Sequence, residues 1–286
     1  MRIGLSGFPL GQMKATLDAP PFEVITRIAR AADDLGFEFV AAQDHTVAPR
    51  AWAAEGAGET WFEPFSVLST AAAVTSRVRL LTDVIVLPYR APFMVAKTAA
   101  SLDTLSSGRL ILGVAAGYLE QEFGILHADF AARGAVTDES IEVIRACWTG
   151  EWVDFKGTHF EARDVSVSPR PATPPPIWVG GNSMRALRRA IQLGDGWTPF
   201  RGNPATIKAM LDDAFARWGK PDRFDVCVPL RGGIYNEDKE TIDGDGVKRQ
   251  LDALARAGVT YVKAGFRGPR LDDYLRGMER FARAVF

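Results

Sequence analysis

The feature that most constrains this chain is an alternation. Eight times, a short apolar run is followed by a segment whose apolar residues recur at three- and four-residue spacing, the period of one helical face. The first run is Arg2 to Ser6. The helix behind it opens after Pro20-Pro21, carries Ile25, Ile28, Ala29 and Ala32 on one face, and stops at Gly36. Further runs follow at Phe37 to Ala42, Val78 to Leu87, Arg109 to Ala115, Ile177 to Val179, Gly196 to Thr198, Phe224 to Val228 and Val259 to Gly265. Helices between them open at Pro64, Pro92 and Asn203-Pro204, first-turn positions where a missing N–H costs nothing. The closing helix carries Leu271, Tyr274, Leu275, Met278, Ala282 and Val285.

Such alternation predicts a parallel α/β sheet covered by helices. Eight units in 286 residues fit one (β/α)8 TIM barrel, which typically takes about 250 residues. An open doubly wound sheet would place a GxGxxG turn after the first strand, and Gly7-Phe8-Pro9-Leu10-Gly11 lacks that spacing. One stretch breaks the cycle. Trp152 to Phe155 and His159 to Ala162 flank Lys156-Gly157-Thr158 as a β-hairpin, followed by the proline-rich run Pro169 to Pro176. Because the alternation resumes at Ile177, residues 150–176 are read as an insertion between units four and five of a single domain, 1–286.

Composition narrows the function. Thirty-four basic residues balance 35 acidic ones, a formal net charge of -1, which points away from nucleic acid and anionic membrane as partners. Cys147 and Cys227 sit in apolar surroundings without CxxC spacing, so both are read as reduced core thiols and the cytoplasm as the compartment. Met1 to Gly7 is interrupted too soon for a signal peptide, and no apolar run reaches the roughly 18 residues of a membrane span. Neither H-x-H nor H-E-x-x-H occurs, so no metal site is expected.

Barrel sites are built at the carboxyl ends of the strands. Those ends supply Ser6, Gly7 and Phe8; Gln43, Asp44 and His45; Thr82 to Arg90; Ala115, Ala116, Gly117 and Tyr118; Gly180, Gly181 and Asn182; Trp197, Thr198 and Arg201; then Arg231 and Arg267. Of three histidines, His45 alone closes a barrel strand, beside an acid. Imidazole titrates near neutrality and suits proton transfer, although position alone fits a loop histidine equally. Gly180-Gly181-Asn182-Ser183 runs straight into a helix, where backbone N–H groups favour an anion; Gly-Gly before a helix is also ordinary loop chemistry. Arg201 and Arg267 either add charge to that pocket or lie on the surface. Trp178 and Trp197 are read as barrel filling or cavity wall. The stretch from Trp52 to Trp61, through Ala53-Ala54-Glu55-Gly56-Ala57-Gly58, reads as a tryptophan-bearing lid or a plain loop.

These residues resemble the luciferase-like flavin and deazaflavin oxidoreductase family. Two blocks carry the likeness. The first is Arg79 to Arg90, then Ala96-Lys97 and Leu102 to Val114; the second is Pro175 to Ser183, with Leu193-Gly194-Asp195-Gly196-Trp197. The resemblance implies a barrel with an inserted segment, usually a homodimer, that binds coenzyme F420 or FMN. It also implies a non-prolyl cis peptide at Asp83–Val84, forming a bulge behind the cofactor ring, with Thr82, Asp83, Val84, Ala116 and Gly117 beside the ring. Gly180, Gly181, Asn182, Gly196, Trp197 and Thr198 would wrap its tail and phosphate. Asp44-His45 is similar to the pair in F420-dependent sugar-phosphate and alcohol dehydrogenases. There His45 would stabilise charge or shuttle a proton, and Asp44 would hold the ring or orient the histidine.

Two positions depart from the family pattern. Relatives often have a small residue at Asp83, and the sugar-phosphate enzymes have a catalytic glutamate where this chain has Tyr118. The reading that follows is an F420-dependent oxidoreductase moving a hydride to or from an organic small molecule. The alternatives are an FMN-dependent monooxygenase and a non-catalytic flavin-binding protein. The substrate would sit near Phe8, Tyr118 and Phe200, which suggests a partly apolar molecule.

Overall fold

Seven of the eight apolar runs each form one strand, with ends within two residues of the sequence reading, and the eighth, Val78 to Leu87, forms two. The computed structural model describes residues 1–10, 18–50, 60–231, 234–236, 241–266, 268 and 270–286. In chain order the elements are β1 (Arg2–Leu5), α1 (Pro21–Leu35), β2 (Phe39–Ala42), α2 (Pro64–Ala72), β3 (Arg79–Thr82), β4 (Ile85–Val86) and α3 (Pro92–Leu105). Then come β5 (Leu110–Ala115), α4 (Glu120–Ile125), α5 (Arg133–Thr149), β6 (Val153–Lys156) and β7 (Glu161–Val165). The last third holds β8 (Ile177–Gly180), α6 (Met184–Leu193), β9 (Gly196–Thr198), α7 (Pro204–Trp218), β10 (Asp225–Pro229), α8 (Gly244–Arg256), β11 (Tyr261–Ala264) and α9 (Leu271–Val285).

All barrel pairings are parallel, and they close: β1 pairs with β2 on one side and β11 on the other, while β3 reaches β5 and β5 reaches β8. The insertion is the antiparallel β6–β7 hairpin. It is pinned from α5, where the Glu139 carboxylate accepts the amides of Thr158, His159 and Phe160 at 2.9, 2.9 and 2.6 Å. No described helix is long and apolar enough to cross a membrane.

The third strand is where the sequence reading needed correction. The Val78 to Leu87 run is two strands, not one. From Leu81 to Ile85 the chain advances four residues while its partner advances three, Ile111 to Val114. The extra residue bulges out at Asp83-Val84, whose peptide bond is cis, as the resemblance implied. Glycines make room for it. A Cβ on Gly113 would lie 1.9 Å from the Thr82 carbonyl oxygen, and one on Gly180 would lie 3.2 Å from both Val84 methyl groups. Val84 thus occupies a slot that only a bare backbone leaves open.

Strand alternation then sorts the interior into layers. Phe39, Ala41, Leu81, Ile111, Trp178, Cys227 and Tyr261 point inward and form an apolar plug. Trp178 is therefore barrel filling, in edge contact with Phe39 at 6.1 Å. The next inward positions, two residues further along each strand, are Gln43, Asp83, Gly180, Pro229 and Lys263, joined by Ser6 and Thr198. These form the floor of a cavity at the carboxyl ends of the strands.

Candidate active site

The cavity above that floor measures about 870 Å³, within the range of small-molecule and cofactor sites. Of the residues singled out from sequence, Asp44, His45, Asp83, Val84, Ala116 and Gly117 line its inner half. Gly180, Gly181, Asn182 and Thr198 line the side nearest α6. Three others do not reach it. Thr82 is fully buried, its hydroxyl donating to the Gly113 carbonyl at 2.8 Å. Gly196 is a packing glycine, since a Cβ there would meet the Asp225 carbonyl at 2.7 Å. Trp197 lies behind the wall, and its indole N–H donates to the Gly181 carbonyl at 2.7 Å. It shapes the wall rather than forming it. Phe8, expected near the substrate, is buried in the core.

His45 is half-buried at the inner wall. Its Nδ1 is fully buried, 3.6 Å from Oε2 of Glu122 on α4. A ring nitrogen presented to the cavity is therefore Nε2. Glu122 is only 1% exposed, yet its carboxylate is well served. Oε1 accepts the amides of Thr46 and Val47 at 2.7 and 3.1 Å, and Oε2 accepts the Tyr89 hydroxyl at 3.0 Å. Burial alone would raise the carboxyl pKa. The neighbouring His45 and the two amides outweigh it and hold the group below its ordinary value. Burial and the Glu122 charge push the Tyr89 phenol well upward, so it remains a donor.

Glu122 was missed in the sequence reading, which noted only that Tyr118 replaces a carboxylate. The available signal was Glu120-Gln121-Glu122-Phe123. On a short helix, Glu122 and Phe123 turn inward together, and both are buried. Asp44, by contrast, does not meet His45 in the way expected. Its carboxylate is taken by Arg90, through paired contacts of 2.7 and 2.9 Å, and by the Val86 amide at 3.0 Å. It anchors β4 and the turn behind it to the end of β2.

The side chain of Asp83 also has a definite partner. Nζ of Lys263, only 5% exposed, lies 2.8 and 2.9 Å from the two Asp83 oxygens and 3.0 Å from the Thr198 hydroxyl. Burial alone would lower the lysine pKa. The Asp83 carboxylate overcomes that and raises it.

The opposite end of the cavity is basic. Arg133, Arg185, Arg189 and Arg231 line it, around the N-terminus of α6. Ser183 caps that helix by accepting the Ala186 amide at 3.2 Å. Asn182 accepts the amides of Phe200 and Arg201 at 3.0 and 3.2 Å, so it holds the wall. Arg201 packs over Phe200, 5.3 Å from its ring centre, and Arg267 lies outside the described residues. The mouth is aromatic. Trp61 meets His45 edge-on at 4.6 Å, and Tyr118 stacks with Phe200 at 6.3 Å. The remainder of the expected lid, Trp52 to Glu59, lies outside the described residues.

This donor set suits a planar ring with an anionic tail: apolar walls and the Val84 bulge at one end, arginines and a helix N-terminus at the other. Among the described residues, no group of side chains could hold a metal ion. The sequence model described as luciferase-like monooxygenase matches residues 1–260. An uncharacterized protein of Mycobacterium tuberculosis is 35% identical over 243 residues, covering 80% of this chain and 78% of its own. An F420-dependent glucose-6-phosphate dehydrogenase of Beutenbergia cavernae is 34% identical over 197 residues, 67% of this chain and 57% of that one. The crystal structure of the monooxygenase RslO1 from Streptomyces bottropensis shares the fold, with a TM-score of 0.80 at 23% identity, over 100% of this chain and 98% of that one.

Proposed function

The chain belongs to the luciferase-like monooxygenase family, and from that premise we propose that its cavity binds coenzyme F420 and moves a hydride between the deazaflavin and an organic substrate. The observation that carries this reading is His45, set on the cavity wall with Nδ1 buried against the Glu122 carboxylate. When bound, the deazaflavin supplies a carbon centre that accepts or donates hydride and reacts poorly with dioxygen.

This chain's own residues do the rest. The Glu122 carboxylate, 3.6 Å from Nδ1, orients the imidazole ring. As hydride leaves a substrate carbon, Nε2 of His45 takes the proton from the attached oxygen; in the reverse direction it returns that proton. Val84 and the bulge give the ring a shaped seat. Arg133, Arg185 and the α6 N-terminus match a phosphate and further anionic groups on a cofactor tail. Trp61, Tyr118 and Phe200 leave the substrate a partly apolar space.

Equilibrium titration with F420 and with FMN tests the reading. Micromolar F420 binding, with hydride transfer that collapses in His45→Ala, is the expected result. Tight FMN binding without F420 binding favours an FMN-dependent monooxygenase instead. Binding without turnover on any substrate favours a flavin-binding protein.

A further inference from the structure

The hydride chemistry above does not use one enclosed ion pair on the cavity floor, Asp83 with Lys263. Two other charges on its walls are matched close by, Asp44 by Arg90 and Arg189 by Asp138. The floor pair is matched as well, and at higher cost, because both groups are held away from water. The Lys263 side chain is 5% exposed and that of Asp83 12%. Stability alone does not explain such a pair, since apolar residues of similar volume often serve as well or better. Nor does the barrel demand it, because an apolar plug already fills the layer below.

Position suggests another role. Asp83 belongs to the bulge itself, and Lys263 reaches it from β11. All three ammonium N–H groups are used, two on Asp83 and one on Thr198. The ammonium is therefore fixed in place rather than free to swing toward a ligand. A fixed, nearly dry, net-neutral pair acts through its field.

Resting on the reading that a deazaflavin or flavin ring occupies the cavity, we propose that Asp83 and Lys263 bias the balance between the oxidised and reduced forms of that ring in opposite directions, each offsetting the other. Accepting a hydride brings two electrons and one proton into the ring, and so one negative charge. The Lys263 ammonium favours that charge and the Asp83 carboxylate opposes it. Together they leave the balance near neutral. Separated, they tilt it in opposite directions.

The test measures dissociation constants for oxidised and reduced cofactor under anaerobic conditions, using whichever of F420 and FMN the wild type binds. The readout is the ratio of oxidised to reduced dissociation constants. Asp83→Asn keeps an acceptor for the lysine and should raise that ratio about tenfold, a step of about 1.4 kcal/mol. Lys263→Met should lower it by about as much. Thr198→Asp adds a carboxylate beside an intact pair and should also lower it, which secures the measurement if Lys263→Met does not fold. The double variant Asp83→Asn/Lys263→Met should return to within about threefold of wild type. Single variants that move the ratio in the same direction, or leave it unmoved, overturn the proposal and leave the pair a structural strut. A wild type that binds neither cofactor overturns the reading of the site itself, and the role of the pair with it.

Discussion

Replacing Glu122 by glutamine removes one charge and almost no volume, which isolates what that charge does. The carboxylate accepts three described hydrogen bonds, from Thr46, Val47 and Tyr89, and faces Nδ1 of His45 at 3.6 Å. Hydrogen bonds to a charged group contribute about 1.5–3 kcal/mol each, against about 1 kcal/mol for neutral ones. Glutamine can keep both amide bonds through its carbonyl oxygen, but as neutral bonds, so folding stability should fall by about 2 kcal/mol. Alanine loses all three, and the cost should rise to about 3–4 kcal/mol, softened because Thr46 is exposed and water can reach its amide. The functional loss comes from His45. Unit charges 3.6 Å apart attract by about 1 kcal/mol in water and about 4–5 kcal/mol at an effective dielectric of 20. Losing part of that from the charged imidazole should slow hydride transfer by about ten- to a hundredfold.

Urea unfolding gives the first number and single-turnover kinetics the second. A double-mutant cycle with His45→Ala then separates coupling from general damage, and should give an interaction of at least about 1 kcal/mol. If Glu122→Gln lowers stability as expected but leaves hydride transfer untouched, Glu122 is a structural brace only. The account of His45 would then be wrong.

Other consequences are testable in the same way. His45→Ala should reduce turnover by about a hundred- to ten-thousandfold, the usual range for a general acid–base residue, with little change in cofactor affinity. Because the folded protein holds the Glu122 carboxyl below its ordinary pKa, its stabilising effect is present at neutral pH and fades as pH falls through the folded-state value. The stability gap between wild type and Glu122→Gln should therefore narrow in acid, as unfolding curves from pH 7 downward would show. Glu139→Ala frees three turn amides of the hairpin and should speed proteolysis there while leaving the cavity chemistry intact. Sedimentation analysis should find a homodimer; a monomer at micromolar concentration would contradict that expectation.

The barrel was legible because periodicity reports burial directly. A run such as Ile177-Trp178-Val179, apolar at every position, reads as a strand buried on both faces, and alternation sends Trp178 to the plug and its neighbours to the outer core. The floor of the site was partly legible for the same reason, since Gln43, Asp83 and Gly180 each stand two residues beyond a plug residue. What the sequence hid are the partnerships. Lys263 pairs with Asp83 across 180 positions, and Glu122 reaches His45 across 77. Neither partner sits in a motif, and strand or helix period says nothing about which carboxylate meets which base. Asp44 shows the opposite error. Adjacency to His45 suggested a working pair, but past the end of β2 the Asp44 carboxylate goes to Arg90 and the Val86 amide.

A crystal structure of the protein with F420 tests the central claim most directly. The account predicts the deazaflavin ring seated against Val84, with the substrate-facing side open toward His45 and the phosphate beside Ser183 and Arg185. A ring bound elsewhere, or seated with His45 remote from its reactive carbon, would contradict it.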